Sequence, residues 1–318
     1  MGWMQVYYGA LYDKGVTIDY DREILSLTDS EEIPIDWAPI HFAHERAATD
    51  KTRIALVLTG ISGSSSSNYI TSMVNDLSRK GFRTCVMNYR GYDMPMTKPG
   101  LIDFADPSDL RDVVQHIKHR YPNANLYIVS FSIGANLASK YCGVYKDQSM
   151  VDGLVSISNP IDVKTSSYEM HKWKNCIYGY WMTMKLKEIF LKKNYNMVSE
   201  LAKIQNVELD YPFIMKAYSP VDFDKRFTTE LLSPERGIKT VDDMYDAMSC
   251  KQDLKNITTP TLFINSRNDR VSLTSSIPKN LMVDKPNFMQ VVLPRGGHTE
   301  FYIGGHCKKW CNRAATDY

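Results

Sequence analysis

The chain has 318 residues, 43% of them hydrophobic and 23% charged, with a formal net charge of +2. That length and apolar content fit one domain with a sizeable core and an inserted subdomain. The near-neutral balance gives no general pull toward nucleic acid, the six scattered cysteines make no dense disulfide framework, and no run reaches the roughly 18 apolar residues of a membrane span.

The N-terminus lacks a charged-then-apolar leader. Gly2 is followed at position 6 by Val6, not by the Ser or Thr of a myristoylation signal. These features lead to the expectation of a cytoplasmic protein or one peripheral to a membrane. Residues 23–28 and 33–37 read as two paired strands around a polar turn. Residues 54–58, Ile-Ala-Leu-Val-Leu, are apolar without alternation, as a parallel strand covered on both faces requires. The serine run 62–67 reads as a loop, residues 69–80 as a helix and 83–88 as a strand. A helix follows at 106–120, with Asp106 as cap, Pro107 in the first turn, and Leu110, Val113, Val114 and Ile117 on one face. Strand 126–129 then runs into Ser132 and a helix over 133–141; strands are expected at 151–157, 261–264 and 288–293, and a closing helix at 308–316.

Strand and helix alternate, which predicts an α/β fold: a mostly parallel central sheet flanked by helices. The alternation stops between 160 and 250, a helical stretch rich in Tyr, Trp, Met and Lys. We read it as an inserted helical cap, with 1–159 and 251–318 as the two parts of the core. Loops at the carboxyl ends of the parallel strands are then the place for chemistry.

A serine becomes a nucleophile when a base takes its proton, a carboxylate orients that base, and N–H donors receive the oxyanion. Ser132 lies between a strand and a helix, in Ser130-Phe131-Ser132-Ile133-Gly134. The elbow pattern has small residues two before and two after the serine; Gly134 fits, and Ser130 replaces the first glycine. Asp269 follows strand 261–264, with Asp253 and Asp284 as rivals that follow no core strand. His298 follows the last strand through Pro294-Arg295-Gly296-Gly297, with His306 as a rival of poorer spacing. The chain order Ser, Asp, His is that of the α/β-hydrolase arrangement. The N–H of Ile133, opening a helix, and that of Ile61, in the loop after strand 54–58, are the expected oxyanion donors. His306, Cys307 and Cys311 hint at metal, but four-ligand spacing is missing and one helix face is the alternative; no metal or cofactor is expected.

The stretches LTGISGSSSSNYI, NYRGYD, DLRDVVQHIKHRYPNANLYIVSFSIGANLASKY, INSRNDRVS and PRGGHTEFY resemble the YheT/ABHD-type branch of the α/β-hydrolases. That branch includes short-chain esterases, plant embryogenesis-associated hydrolases, ester synthases, and acylglycerol lipases and phospholipases. The resemblance covers most of the chain and maps the family's triad onto Ser132, Asp269 and His298 and its oxyanion loop onto Gly60 and Ile61. It departs at Ser130, at Thr59-Gly60-Ile61 where the family often has P-G-L, and at Asn268-Asp269 where the family often has two aspartates. It implies a serine hydrolase cleaving acyl esters, of a lipid or acylglycerol. Animal members carry an N-terminal anchor that is not visible in this sequence, which suggests a soluble form or a shortened chain.

In the cap, Met182, Leu186, Ile189 and Phe190 share a helical face, and Met182, Leu186 and Phe190 are candidates to line an acyl pocket. Lys185, Lys187, Lys192 and Lys193 suggest peripheral contact with anionic lipid; solvated lysines on a packed helix are the alternative. An acyltransferase on the same machinery, or a non-catalytic binding protein, remains open. No histidine carries the H-x-x-x-x-D pattern that would favour the former.

Overall fold

The first elements among the described residues are an antiparallel pair, β1 (Asp21–Ser26) and β2 (Glu32–Ala38), joined by a turn in which Ser30 takes a φ of 67°. The computed structural model describes residues 15–39, 52–172, 176–278, 285–299, 301–303 and 308–318. Next come β3 (Arg53–Leu58) and β4 (Arg83–Met87), with α1 (Asn68–Arg79) between them. Then follow α2 (Ser108–Arg120), β5 (Asn125–Phe131), α3 (Ile133–Tyr145) and β6 (Gly153–Ile157). The sheet closes with β7 (Thr261–Ser266) and β8 (Phe288–Leu293), in the order β1-β2-β4-β3-β5-β6-β7-β8. Every pairing from β4 to β8 is parallel, while β2 runs antiparallel to β4.

Two cores explain the unbroken apolar runs. In β3, Ile54, Leu56 and Leu58 join one core with Leu110, Val113 and Ile117 of α2. The alternate residues Ala55 and Val57 join the other with Ile70, Met73 and Val74 of α1. All five strand residues are fully buried. Each fully buried Leu or Ile stabilises by roughly 1.5–3 kcal/mol, so the central strands hold the frame rigid.

Element edges differ from the sequence reading where side chains take over backbone bonds. β6 starts at Gly153 because Asp152 turns its carboxylate to the Leu126 N–H at 2.7 Å, replacing a ladder partner. At α2 the cap position falls to Pro107, and Asp106 accepts the Ser108 N–H one residue earlier, at 2.9 Å. α3 runs on to Tyr145, past Gly143, where a Cβ would come within 2.5 Å of the Asp253 carbonyl.

Between β6 and β7 the described residues form helices only. They are α4 (Val163–His171), α5 (Cys176–Lys187), a π-helical turn (Glu188–Lys193), α6 (Tyr195–Ile204), α7 (Tyr211–Ile214) and α8 (Pro220–Phe223). A second π-helical turn (Asp224–Thr228), α9 (Thr229–Arg236) and α10 (Val241–Met248) complete the insertion. At the C-terminus, β9 (Tyr302–Ile303) pairs with β10 (Lys308–Lys309), so the last helix, α11 (Trp310–Asp317), starts two residues later than the sequence suggests. His306 and Cys307 lie outside the described residues, and Cys311 is buried on α11. Among the described residues no His, Cys, Asp or Glu cluster could hold a metal.

Candidate active site

Because β3, β5, β7 and β8 are parallel, the loops that follow them gather at one edge of the sheet. Ser132 stands between β5 and α3 with φ 54° and ψ −125°, a conformation that costs a non-glycine residue about 1–3 kcal/mol. Its N–H donates to the Ile157 carbonyl at 2.9 Å, and its carbonyl accepts from Ala135 at 2.9 Å and Asn136 at 3.1 Å, so both neighbours hold the turn. Gly134 is obligatory: a Cβ there would lie 2.3 Å from the Thr59 carbonyl and 2.6 Å from the Tyr89 hydroxyl. Ser130 is different. It is the next-to-last residue of β5, fully buried, and its hydroxyl donates to the Val155 carbonyl of β6 at 2.9 Å. The serine in the first glycine position is therefore absorbed by the sheet.

His298 Nε2 lies 2.7 Å from Ser132 Oγ, and its Nδ1 lies 2.9 Å from Asp269 Oδ2. A carboxylate only accepts, so Nδ1 carries the proton toward Asp269 and Nε2 is left to accept from the serine. The other oxygen of Asp269 accepts the N–H groups of Val271 at 2.8 Å and Ser272 at 3.1 Å, which fixes the carboxylate plane. Asp269 and His298 are 3% and 7% exposed, so water screens this line of bonds little. Of the rivals, Asp253 pairs with Lys140 at 3.0 Å, and Asp284 lies outside the described residues, as His306 does.

The loop after β3 comes up beside the serine. A Cβ on Gly60 would sit 3.2 Å from the Ser132 Cβ. The Gly60 N–H donates to the Tyr69 hydroxyl at 2.9 Å, and the Gly63 N–H to the Gly60 carbonyl at 3.1 Å. Ser65 pins the same loop to the sheet: its hydroxyl donates to Asp36 of β2 at 2.5 Å, and its N–H to Asn88 at 2.9 Å. Ile133 is the first residue of α3, so its N–H has no intrahelical acceptor. Ile61 and Ile133 line one cavity together with Ser132.

That cavity has a volume of about 90 Å³ and runs under the helical insertion, where Met170, Met182, Leu186, Phe190, Met244 and Met248 line it. Met182, Leu186 and Phe190 are 4%, 5% and 4% exposed. Met170 and Met182 pack with Val271, two residues beyond Asp269, and with Ile61 and Tyr178. The Tyr178 ring stands edge-on to the His298 ring at 6.4 Å, so α5 closes directly over the histidine. The lysines are less available than the sequence suggests. Lys187 is buried, and its amine donates to the Met215 and Ala217 carbonyls at 2.9 and 2.6 Å. Lys185 pairs with Glu188 at 2.8 Å, and Lys193 donates to the Tyr92 carbonyl at 2.5 Å.

Two roles escaped the sequence reading. Asn268, next to Asp269, accepts the Gly296 N–H at 2.9 Å and so ties the histidine loop to the end of β7. Asp224, which opens the second π-helical turn and lines the cavity, had no sequence signal, since its spacing from Ser132 says nothing of their shared space.

An eight-stranded, mostly parallel sheet with flanking helices and a serine on a strained strand-to-helix turn defines an α/β-hydrolase. The family described as serine aminopeptidase S33 matches residues 50–282, and the chain belongs to it. It is 27% identical over 308 residues to the embryogenesis-associated protein EMB8 of Picea glauca, covering 95% of this chain and 65% of that protein. It is 28% identical over 291 residues to the phospholipase ABHD3 of Homo sapiens, covering 90% and 68%. The chain thus spans about two thirds of the length of these relatives. Among solved structures, an esterase of Pyrococcus furiosus shares the fold with a TM-score of 0.55 and 14% identity, over 89% of this chain and 83% of that one.

Proposed function

We propose that the protein hydrolyses carboxylic esters through Ser132, with His298 as the base and Asp269 as its orienting carboxylate, and that its substrates are lipid acyl esters, acylglycerols or phospholipids. The observation that carries this reading is the unbroken line from Ser132 Oγ through both nitrogens of His298 to Asp269 at 2.7 and 2.9 Å. His298 takes the serine proton as Oγ attacks the ester carbonyl. The N–H groups of Ile61 and Ile133 hold the resulting oxyanion. The tetrahedral centre collapses, the C–O bond to the alcohol breaks, and His298 returns the proton to the leaving oxygen. Water, deprotonated by His298, then attacks the acyl-enzyme and releases the acid and the free serine.

The lipid part rests on the cavity wall and on a phospholipase among the relatives. Met182, Leu186 and Phe190 are the acyl contacts in this reading, and Gly60 gives the substrate room beside Ser132. Residues 160–250 act as the cap over a core made of 1–159 and 251–318. The outer face of α5 supports peripheral membrane contact. Ile177, Tyr180, Trp181 and Met184 recur at i, i+3, i+4 and i+7 and are 75%, 54%, 51% and 41% exposed. Trp and Tyr suit the headgroup level of a bilayer. No described helix is long and apolar enough to cross a membrane.

The test is hydrolysis of p-nitrophenyl esters from acetate to palmitate, followed through the first turnover. A burst of nitrophenol equal to the enzyme concentration, with kcat/KM rising from the shortest chain, is expected. Absence of turnover on every ester contradicts the reading.

A further inference from the structure

Asp224 lines the cavity that contains Ser132 but takes no part in the hydrolysis described above. It opens the second π-helical turn, a backbone form frequent at functional sites. One carboxylate oxygen accepts the Tyr245 hydroxyl at 2.6 Å, the other the Thr228 hydroxyl at 2.7 Å. Both donors are neutral, and no cation lies within ion-pair distance of Asp224 among the described residues. The contrast is Asp103, also on the cavity wall, whose carboxylate meets Arg236 at 2.7 Å.

Burial pushes the Asp224 carboxyl up to about 6, and the two hydroxyls pull it down. It is still ionised at neutral pH. A charge held without a counter-ion beside Met182, Leu186 and Phe190 is costly, and an apolar side chain there would fill the same wall without that cost. A second group has the same character. Ser166 of α4 lines the cavity, is 2% exposed, and its hydroxyl has no hydrogen-bond partner. Buried hydroxyls are paired as a rule. Its neighbour Ser167 lies beside the Tyr245 hydroxyl that donates to Asp224, and Ser166 and Asp224 line the same cavity.

We propose that Asp224 and Ser166 form a polar subsite under the cap that binds a hydrogen-bond-donating group of the ester substrate, a hydroxyl or an ammonium. This rests on the reading of the cavity as the acyl-ester site. Asp224 keeps lone pairs beyond the two bonds it accepts, and Ser166 can accept from the same group or donate to a hydroxyl. The enzyme then selects lipid esters that carry such a group over plain alkanoates.

The experiment uses p-nitrophenyl esters of plain, ω-hydroxy and ω-amino alkanoic acids, matched in length from C4 to C12, with wild type, Asp224→Leu and Asp224→Asn. Wild type is expected to prefer a polar-tipped ester over its plain counterpart by about tenfold in kcat/KM at one or more lengths, as a charge-assisted bond allows. Asp224→Leu is expected to erase or invert that ratio. Asp224→Asn keeps a hydroxyl preference and loses an ammonium preference, which separates the two sources. If wild type prefers the plain ester at every length, or the preference survives Asp224→Leu, the subsite is overturned. Fluorophosphonate labelling of the same samples separates the two ideas. A labelled enzyme with no polar preference overturns the subsite alone, and an unlabelled one removes the hydrolase reading and the subsite with it.

Discussion

Replacing Asp224 with asparagine isolates the cost of a buried charge. The carboxyl rises from 3.8 to about 6 on folding, chiefly through burial. That is about 2 units, and at about 1.4 kcal/mol per unit the ionised side chain costs the fold about 3 kcal/mol at high pH. The sign follows from proton counts. Below 3.8 both the folded and the unfolded chain hold the proton, and no cost appears. Between 3.8 and about 6 the folded chain keeps a proton that the unfolded chain has lost, so stability falls as pH rises. Above that window the cost is complete. Asparagine is neutral throughout. Its amide oxygen still accepts one of the two hydroxyls, and its NH₂ can donate to the other once that hydroxyl turns. Paired urea titrations of Asp224→Asn and wild type at pH 4.5 and pH 8 are the assay, because every other titrating group cancels between the two proteins. The stability of the variant relative to wild type is expected to rise by about 2 kcal/mol between those pH values. A difference that stays constant, or that turns against the variant as pH rises, refutes the account of an unpaired carboxylate in the cavity wall.

Ser130→Gly restores the usual elbow residue but deletes a buried bond to Val155 and adds backbone freedom to β5. It is expected to lower stability by about 1–2 kcal/mol in urea unfolding while leaving ester kcat/KM within twofold. Gly134→Ala places a carbon 2.3 Å from the Thr59 carbonyl, so the loop after β3 must move. A loss of about 3 kcal/mol or more is expected, and the variant that does fold should lose at least tenfold in kcat against wild type. Trp181→Glu together with Ile177→Glu puts charge on the outer face of α5. Sedimentation with phosphatidylcholine–phosphatidylserine vesicles is expected to fall at least tenfold, with hydrolysis of soluble short-chain esters unchanged.

Sequence pattern revealed the sheet and its flanking helices because burial leaves a distinctive trace: an unbroken apolar run where both faces are covered, as in β3, and a three-and-four spacing where one face is, as in Leu110, Val113 and Ile117 of α2. Periodicity specified faces but not edges. Asp152 and Asp106 moved the element ends by spending side-chain oxygens on backbone N–H groups, a choice that no hydrophobic pattern records. In the site, Ser132, Asp269 and His298 could be proposed because each follows a parallel strand and must emerge at the same edge. Their mutual distances come only from the folded chain, as does the Asn268 bond that sets the histidine loop. Of the four lysines between 185 and 193, Lys187 departs from its expected place for a related reason. Helical spacing puts Lys187 near a surface, but the Met215 and Ala217 carbonyls just past the end of α7 draw its amine inward. Asp224 was invisible because a carboxylate in a polar-rich helical stretch looks solvated until its neighbours are known.

Labelling by a fluorophosphonate probe bears on the central claim most directly, since the probe reacts with a serine only where a base and an oxyanion site activate it. Wild type is expected to label stoichiometrically at Ser132 by peptide mapping. Ser132→Ala and His298→Ala are expected to lose labelling while keeping wild-type circular dichroism. Unlabelled wild type, or labelling that persists in folded Ser132→Ala, contradicts the account.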